Sequence, residues 1–418
     1  MRCNRGVERI HQTLLVIFVL LLGLFEGPAE IACIAVLISI IASGRLKSWR
    51  PEWFEICLLV WAFSGLFGLL STDVRVSSED KFRPLLGLAF IVGRYALGAS
   101  PNPKLLRRMA WAFLAACVIN GIYGYLQVGF GRLPWDKLIL RKMGSPQIFV
   151  PGHYARVHVA SGLFYNRLKL AHVGIVALGG MLLLLSSRPP RTWKKSNWIL
   201  LFGACILAPA LVLTHARMAM AAFLAAISMM IVILGNKRVV VGFLTTTVTA
   251  LTIFLSSDFA ATRFQQIRGD LEIRLNIYKV ATTIISEHPW LGVGHGVYRS
   301  VAKRFFQEGW SRTWLVDAHQ LVLHTWAETG IIGLIAFMTV LLVGIVRLIQ
   351  RCRRSQSSLD PANQLDRCAL FGLLALSFLG MVHYPLHHGP VALLFWLCLG
   401  LAYRKAKDAE GLTSRSEV

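Results

Sequence analysis

The sequence predicts an all-α, polytopic membrane protein of about twelve transmembrane helices, with a long, partly helical outward loop between spans 9 and 10. Three observations predict it. Of the 418 residues, 55% are hydrophobic and only 16% are charged, whereas an average soluble domain carries about 25% charged residues. Apolar runs long enough to cross a hydrocarbon core of about 30 Å recur from end to end. Short basic connections alternate along the chain, as loops on the inner side of a membrane do. The expected organisation is one integral membrane domain over 1–418, with outward loops at 130–162 and 257–319.

Taken in order, the expected spans lie near 10–25, 28–43, 53–70, 84–98, 108–129, 163–186, 197–214, 216–234, 239–256, 320–346, 368–383 and 387–403. The first apolar run lacks a small-residue cleavage site and is soon followed by a second, so it is expected to be a retained span. Gly27-Pro28 makes the turn between these two, as glycine and proline punctuate helical patterns. Arg2, Arg5 and Arg9 precede the first span. Every second connection is then short and basic, with Arg45/Lys47/Arg50, Lys104/Arg107/Arg108, Arg188/Arg191/Lys194/Lys195, Lys237/Arg238 and Arg347/Arg351/Arg353/Arg354. The tail carries Arg404, Lys405 and Lys407. All fall on one side for an even span count, which places both termini in the cytoplasm.

The net charge of +23 is accounted for by these inner loops, and no basic domain stands apart from the spans, so no nucleic-acid partner is expected. The eight cysteines fall in spans or on the inner side, which argues against a disulfide framework. No CxxC pair marks a zinc or redox site.

The two long outward loops break the charge bias. Arg132, Lys137, Arg141, Lys142 and Arg156 lie in the first. Arg263, Arg268, Arg274, Lys279, Arg299, Lys303, Arg304 and Arg312 lie in the second. Long loops escape the positive-inside rule, so these charges either form a solvated surface or meet a phosphate-bearing partner. Within the second loop, Ile267, Leu271, Leu275, Tyr278 and Ile285 recur at helical spacing. The helix should stop at His288-Pro289, because the residue before proline disfavours the helical region. A Gly-rich turn follows, Leu291-Gly-Val-Gly-His-Gly-Val297, and then a second short helix from Tyr298 to Gln307. The turn is a poor dinucleotide fingerprint, because no parallel βαβ unit surrounds it. Glycine permitting a tight backbone is the better account.

The stretch Asp317 to Phe337, DAHQLVLHTWAETGIIGLIAF, sets His319, His324 and Glu328 at the mouth of a long apolar helix. Ionisable groups at membrane depth are costly and mark functional sites by default. His319 follows Asp317 closely; it either caps the span or, as a neutral imidazole, accepts a proton from a hydroxyl. His324 and Glu328 share one helical face, where they pair for structure or orient a site. Arg217, in THARMAM, sits between two spans. It either snorkels to the interface or grips phosphate oxygens with both arms of its guanidinium. Arg274, on the loop helix, is an exposed charge or a second such grip. Arg94, Arg167, Lys169 and His172 lie within or beside spans and should face a cavity rather than lipid. Of these, Arg167, Lys169 and His172 are expected to extend a basic cavity toward the outer face. His383, His387 and His388, in HYPLHHGP, have imidazoles suited to a metal, but no carboxylate is near them in sequence and no metal is expected.

Together these segments resemble the O-antigen ligase and polymerase superfamily of bacterial inner-membrane glycosyltransferases. THARMAM is similar to its threonine–serine–arginine–glycine-like segment, with the arginine at Arg217. RLNIYKVATTIISEHPWLGVGHGVY is similar to its arginine-led loop helix ending in Pro-Leu-Leu-Gly-Val-Gly, with the arginine at Arg274. HQLVLHTWAETGIIG is similar to its His-Asn…Glu-x-Gly-x-x-Gly signature, with the histidine at His319 and the acid at Glu328. A weaker fourth match is RVHVASGLFYNRLKLA, from Arg156 to Ala171. The chain departs from the pattern at Gln320, where asparagine is usual, at His324, where glutamine is common, and at Ala216, which replaces a small polar residue.

The resemblance implies a metal-independent, inverting glycosyltransferase in the bacterial inner (cytoplasmic) membrane, with its active site periplasmic. The donor would be a glycan on undecaprenyl pyrophosphate and the acceptor the lipid A–core. Arg217 and Arg274 would hold the pyrophosphate, and His319 would deprotonate or position the acceptor hydroxyl. Arg156, Arg167, Lys169, Glu328 and His324 would contact the substrates. No cofactor is expected, and membrane lipid is the remaining partner. A polymerase joining repeat units on the same carrier is the nearest alternative, followed by a relative that transfers glycan to protein. A polysaccharide transporter would show repeated halves with broken helices, and the sequence has no half-to-half similarity.

Overall fold

The structure, a computed structural model, describes residues 5–46, 51–70, 83–97, 101–131, 147–149, 156–164, 166–187, 190–235, 258–305, 317–355 and 359–405. Its helices in chain order are α1 (Arg5–Leu24), α2 (Glu26–Ala42), α3 (Trp53–Leu70), α4 (Ala89–Tyr95), α5 (Pro103–Phe130), α6 (Arg167–Ser186), α7 (Lys195–Val212), α8 (Arg217–Leu234), α9 (Asp258–Glu287), α10 (Tyr298–Ala302), α11 (Leu321–Arg354), α12 (Pro361–Gly380) and α13 (Gly389–Ala402). Among the described residues, seven helices are long and apolar enough to cross a membrane: α1, α3, α5, α6, α7, α8 and α11. A small antiparallel hairpin, β1 (Gln147–Phe149) with β2 (Arg156–His158), is the one departure from helix among them. The expected span at 239–256 lies outside the described residues.

Burial sorts the helices. Ile31, Ile34, Ile38 and Ile41 of α2 are exposed at helical spacing, while Ala29, Ala32, Cys33, Val36 and Ile40 on the other face are buried. An outward isoleucine stripe is stable against lipid and costly against water. Helix α6 is buried on nearly every side. It packs against α5, α7, α8, α12 and α13, so it forms the central post of the bundle. A helix that is apolar all round belongs in such a position.

The stretch 84–98 does not form one long span. It is a 3-10 turn, Arg83–Leu88, followed by the seven-residue α4. Helix α4 is held to α13 by glycines at the crossing: a Cβ on Gly93 would meet the Leu401 amide at 2.9 Å, and one on Gly400 would overlap the Phe90 carbonyl. Small residues let helix backbones approach this closely. Arg94, expected to face a cavity, is instead 4% exposed. Its Nε lies 3.1 Å from Glu55 and its Nη1 donates to the Tyr403 carbonyl at 2.8 Å. It ties α4 to the ends of α3 and α13.

The loop helix α9 ends at Glu287, just before His288-Pro289. With α10 and the turn between them it builds a second small core of Val280, Ala281, Ile284, Ile285, Val293, Val297, Tyr298, Val301 and Ala302, closed by Ala318 and Ala327. What docks this unit on the bundle is a break in α11. Gly330 stands at φ 65°, ψ −177° inside that helix, a backbone region open to glycine. The break releases carbonyls that regular helix would use. The amides of Val293 and Gly294 donate to Ala327 and Glu328 at 2.9 Å each, and the Ile331 amide donates to the Pro289 carbonyl at 2.9 Å. The Gly-rich turn is therefore a backbone clamp on α11.

Candidate active site

Helices α6, α8 and α11 begin at one end of the bundle with Arg167, Arg217 and the turn carrying His319. Each then runs to the opposite end, where α11 finishes in Arg351, Arg353 and Arg354 and Arg353 donates to the Ile233 carbonyl near the end of α8. The residues singled out at these helix starts are thus separated from the basic stretch that ends α11 by the full length of the helices.

At the end that carries Arg167 and Arg217, Asp317 organises a compact turn. Its Oδ1 accepts the His319 amide at 2.6 Å and lies 3.1 Å from His319 Nδ1. His319 adopts φ 49°, a conformation that costs energy for a residue with a Cβ and persists where neighbours over-determine it. Burial alone would raise the Asp317 pKa, but the imidazoles of His319, His387 and His324 together outweigh it and hold the carboxyl below its usual range. An ionised Asp317 fixes the proton on His319 Nδ1 and leaves Nε2 as the acceptor. The His319 side chain keeps 27% of its surface accessible.

His383, in the turn after α12, joins the arginines to this pair. Its ring lies 6.2 Å from that of His319 and 5.8 Å from that of His172. It is within electrostatic reach of Arg274, His319, Asp317 and Arg167. Burial first, then the Arg274 and His319 charges, push its pKa down to about 4, so the imidazole is neutral at ordinary pH. Arg274 reaches over from α9 and donates to the neighbouring Val382 carbonyl at 2.6 Å. Arg167 donates to the carbonyls of Thr214 and His215 at 2.9 and 3.0 Å, just before Arg217, whose charge it feels. Among the described residues, none of Arg167, Arg217 and Arg274 has a carboxylate partner. Lys169, by contrast, is paired with Glu26. His172 is 1% exposed and neither ring nitrogen has a partner among the described residues.

The structure brings Arg217, Arg274, His319 and Arg167 to one end of the bundle. His324 and Glu328 sit behind them, 2% and 6% exposed. Glu328 Oε1 accepts the Gly296 amide at 2.9 Å and lies 3.3 Å from His324 Nε2, while its Oε2 lies 3.7 Å from His295 Nδ1. His324 Nδ1 accepts the Ala318 amide at 3.2 Å, and its ring stacks on Tyr384 at 3.7 Å. The pair bolts the Gly-rich clamp to the turn that bears His319. Arg156 opens β2, and its side chain lies outside the described residues.

Two members of these clusters were not given a role by the sequence. His383 was weighed only as a metal ligand and His295 only as part of a flexible turn. The available signal was a histidine close to an apolar span; its partners come from elements distant in sequence. The HYPLHHGP turn also has a carboxylate near it after all, since Asp317 Oδ2 lies 3.9 Å from His387 Nδ1. Among the described residues no group of His, Cys, Asp and Glu has an arrangement that would hold a metal ion.

Residues 202–338 match the family model described as O-Antigen ligase. Over that third of its length the chain is similar to the O-antigen ligase family. The match supports membership of the O-antigen ligase superfamily and implies ligase- or polymerase-like action on a lipid-linked glycan and an acceptor. No curated protein matches the chain. The matched segment contains Arg217, Arg274, Asp317, His319, His324 and Glu328, while Arg167, His172 and His383 come from outside it.

Proposed function

We propose that the protein transfers a glycan from undecaprenyl pyrophosphate to the lipid A–core at the periplasmic face of the inner membrane. The observation that carries this reading is that a carboxylate-oriented imidazole and three arginines lacking carboxylate partners among the described residues gather at one end of the bundle, linked through His383 and Arg167. Arg217, Arg274 and Arg167 would hold the pyrophosphate, and the N-termini of α6 and α8 add the positive ends of two helix dipoles. The acceptor hydroxyl approaches His319, whose Nε2 takes its proton as the oxygen bonds to the anomeric carbon. The bond from that carbon to the pyrophosphate oxygen breaks on the opposite face, and undecaprenyl pyrophosphate leaves with the electron pair. Inversion follows from this single displacement. Charge develops on the leaving oxygen, where prepositioned guanidinium groups stabilise it most. Asp317 stabilises the imidazolium that forms.

His324 and Glu328 position the turn, and Lys169 is neutralised by Glu26. The basic loops at the opposite ends of the helices support an orientation with the arginine end outside the cytoplasm. Purified protein in vesicles, given defined lipid-linked donor and lipid A–core, should form capped product with chelator present. Absence of product with that pair, or normal product from the Arg217→Ala and Arg274→Ala variants, overturns the assignment. In a deletion strain, loss of all capped lipopolysaccharide with intact core marks ligation, whereas single-repeat capping marks a polymerase.

A further inference from the structure

A cavity of about 420 Å³ among α1, α4, α5, α6, α7, α12 and α13 opens at the end of the bundle opposite the arginine cluster and runs into its interior. Its volume falls in the range of about 300–1,000 Å³ typical of ligand pockets. Its deep end is closed by residues buried in the bundle: Phe18, Leu22, Val92, Val176 and Leu394. Its mouth lies where α5, α7 and α12 begin, beside Arg107 and Lys194, both exposed. Lys104, Arg108 and Lys195 flank the same helix ends. The walls are apolar along the shaft, and the charge is confined to the rim.

Two physical facts restrict the occupant. An apolar void destabilises a core in proportion to its volume when nothing fills it, and an apolar cavity of this kind does not hold water well. A rim of cations inside the basic leaflet boundary selects a negative headgroup. Gly180 lines the shaft and has room for a side chain, with Cys368 Sγ the nearest atom at 3.8 Å from an added Cβ. The space is therefore left open by a glycine that helix packing does not require.

We propose that this shaft binds one acyl chain of an anionic phospholipid, with Arg107 and Lys194 holding the headgroup at the cytoplasmic leaflet. Its mouth lies at the other ends of the helices from the proposed transfer site, and the site does not depend on that reaction. It anchors α1, α5, α7 and α12 to one another through the bound chain.

The test is native mass spectrometry of the full chain, delipidated in neutral detergent and then offered phosphatidylglycerol or phosphatidylethanolamine of the same acyl composition. Wild type should retain one phosphatidylglycerol in preference. The Arg107→Gln/Lys194→Gln variant, altered only at exposed positions, should lose that preference by about thirtyfold, taking about fivefold per basic residue near an anionic surface. Gly180→Leu should lower retention of both lipids while eluting as the same monodisperse species. Equal retention of the two lipids by wild type, or an unchanged preference in the Arg107→Gln/Lys194→Gln variant, overturns the proposal. So does mole-for-mole displacement of phosphatidylglycerol by undecaprenyl phosphate, which would make the shaft a site for the carrier lipid.

Discussion

Asp317 with His319 and Glu328 with His324 are the same chemical pair placed twice on one short stretch, and the fold gives them opposite surroundings. The Glu328 and His324 side chains are 8% and 3% accessible. Their polar atoms meet the Gly296 amide, the Ala318 amide and His295. Asp317 is buried too, but it orients a histidine that is 27% accessible and that shares His383 as a neighbour with Arg274 and Arg167, which have no carboxylate partner among the described residues. A satisfied pair holds structure together; an oriented but open pair can exchange a proton with something else. Sequence motif alone ranks Glu328 beside His319, and the geometry separates them.

The sharpest way to break this comparison is to remove the open pair. His319→Ala should reduce turnover by roughly 10²–10⁴-fold, the usual contribution of a positioned general base, with little change in melting temperature. Asp317→Asn should act in the same direction by losing the correct tautomer. Transfer assays in vesicles, run beside thermal denaturation, read both quantities. If melting falls as far as turnover does, the two pairs are alike and the distinction fails.

The converse experiment is Glu328→Ala. Removing one partner of a buried pair costs about 3–5 kcal/mol, so the expected outcome is a lower melting temperature and faster proteolysis near His288–Val297. A stable Glu328→Ala protein with no turnover would move Glu328 into the chemistry. Gly330→Ala should weaken the same clamp, because an added Cβ would overlap the Trp290 carbonyl and meet the Leu291 amide.

Arg217→Ala and Arg274→Ala should each lower turnover by about 10²–10³-fold, the loss seen when one fixed donor to a developing anion is removed. Lysine at either position should restore little, since a point charge does not replace a planar fork. Full activity in Arg217→Lys would show that charge alone suffices there.

The smallest effect is a pH dependence. The folded state holds His383 at about 4, below the ordinary 6.5. As pH falls from about 6.5 toward 4 the unfolded chain binds this proton and the folded chain does not, so stability declines across that window and levels below it. His383→Gln should flatten the melting temperature over the same range. Asp317 is shifted in the same sense, its folded pKa also being depressed, so its contribution too is present above the unfolded value and is lost as pH falls through the folded one.

Much of the helical layout was legible because it depends on local quantities. The isoleucine stripe of α2, the stop before Pro289 and the apolar length of α11 each follow from residues within a few turns. The stretch at 84–98 was misjudged because apolar length says nothing of the crossing at Gly93 and Gly400 that accommodates a short α4. Arg217, Arg274 and His319 were nameable from motif, but their neighbours were not. His383 acquires its surroundings from α6, α9 and the turn before α11, which no spacing along the chain reveals. Asp317 and His387 likewise meet only through the fold.

By itself the sequence determined that the chain is helical, apolar enough for a membrane, and charged asymmetrically, because helix propensity, hydrophobic transfer and loop charge are properties of short segments. Only the tertiary structure decided which carboxylate–histidine pair is closed and which is open. That depends on where the Gly330 break lets the Gly-rich turn dock, and backbone hydrogen bonds released in one helix are claimed there by amides some thirty residues away in the chain.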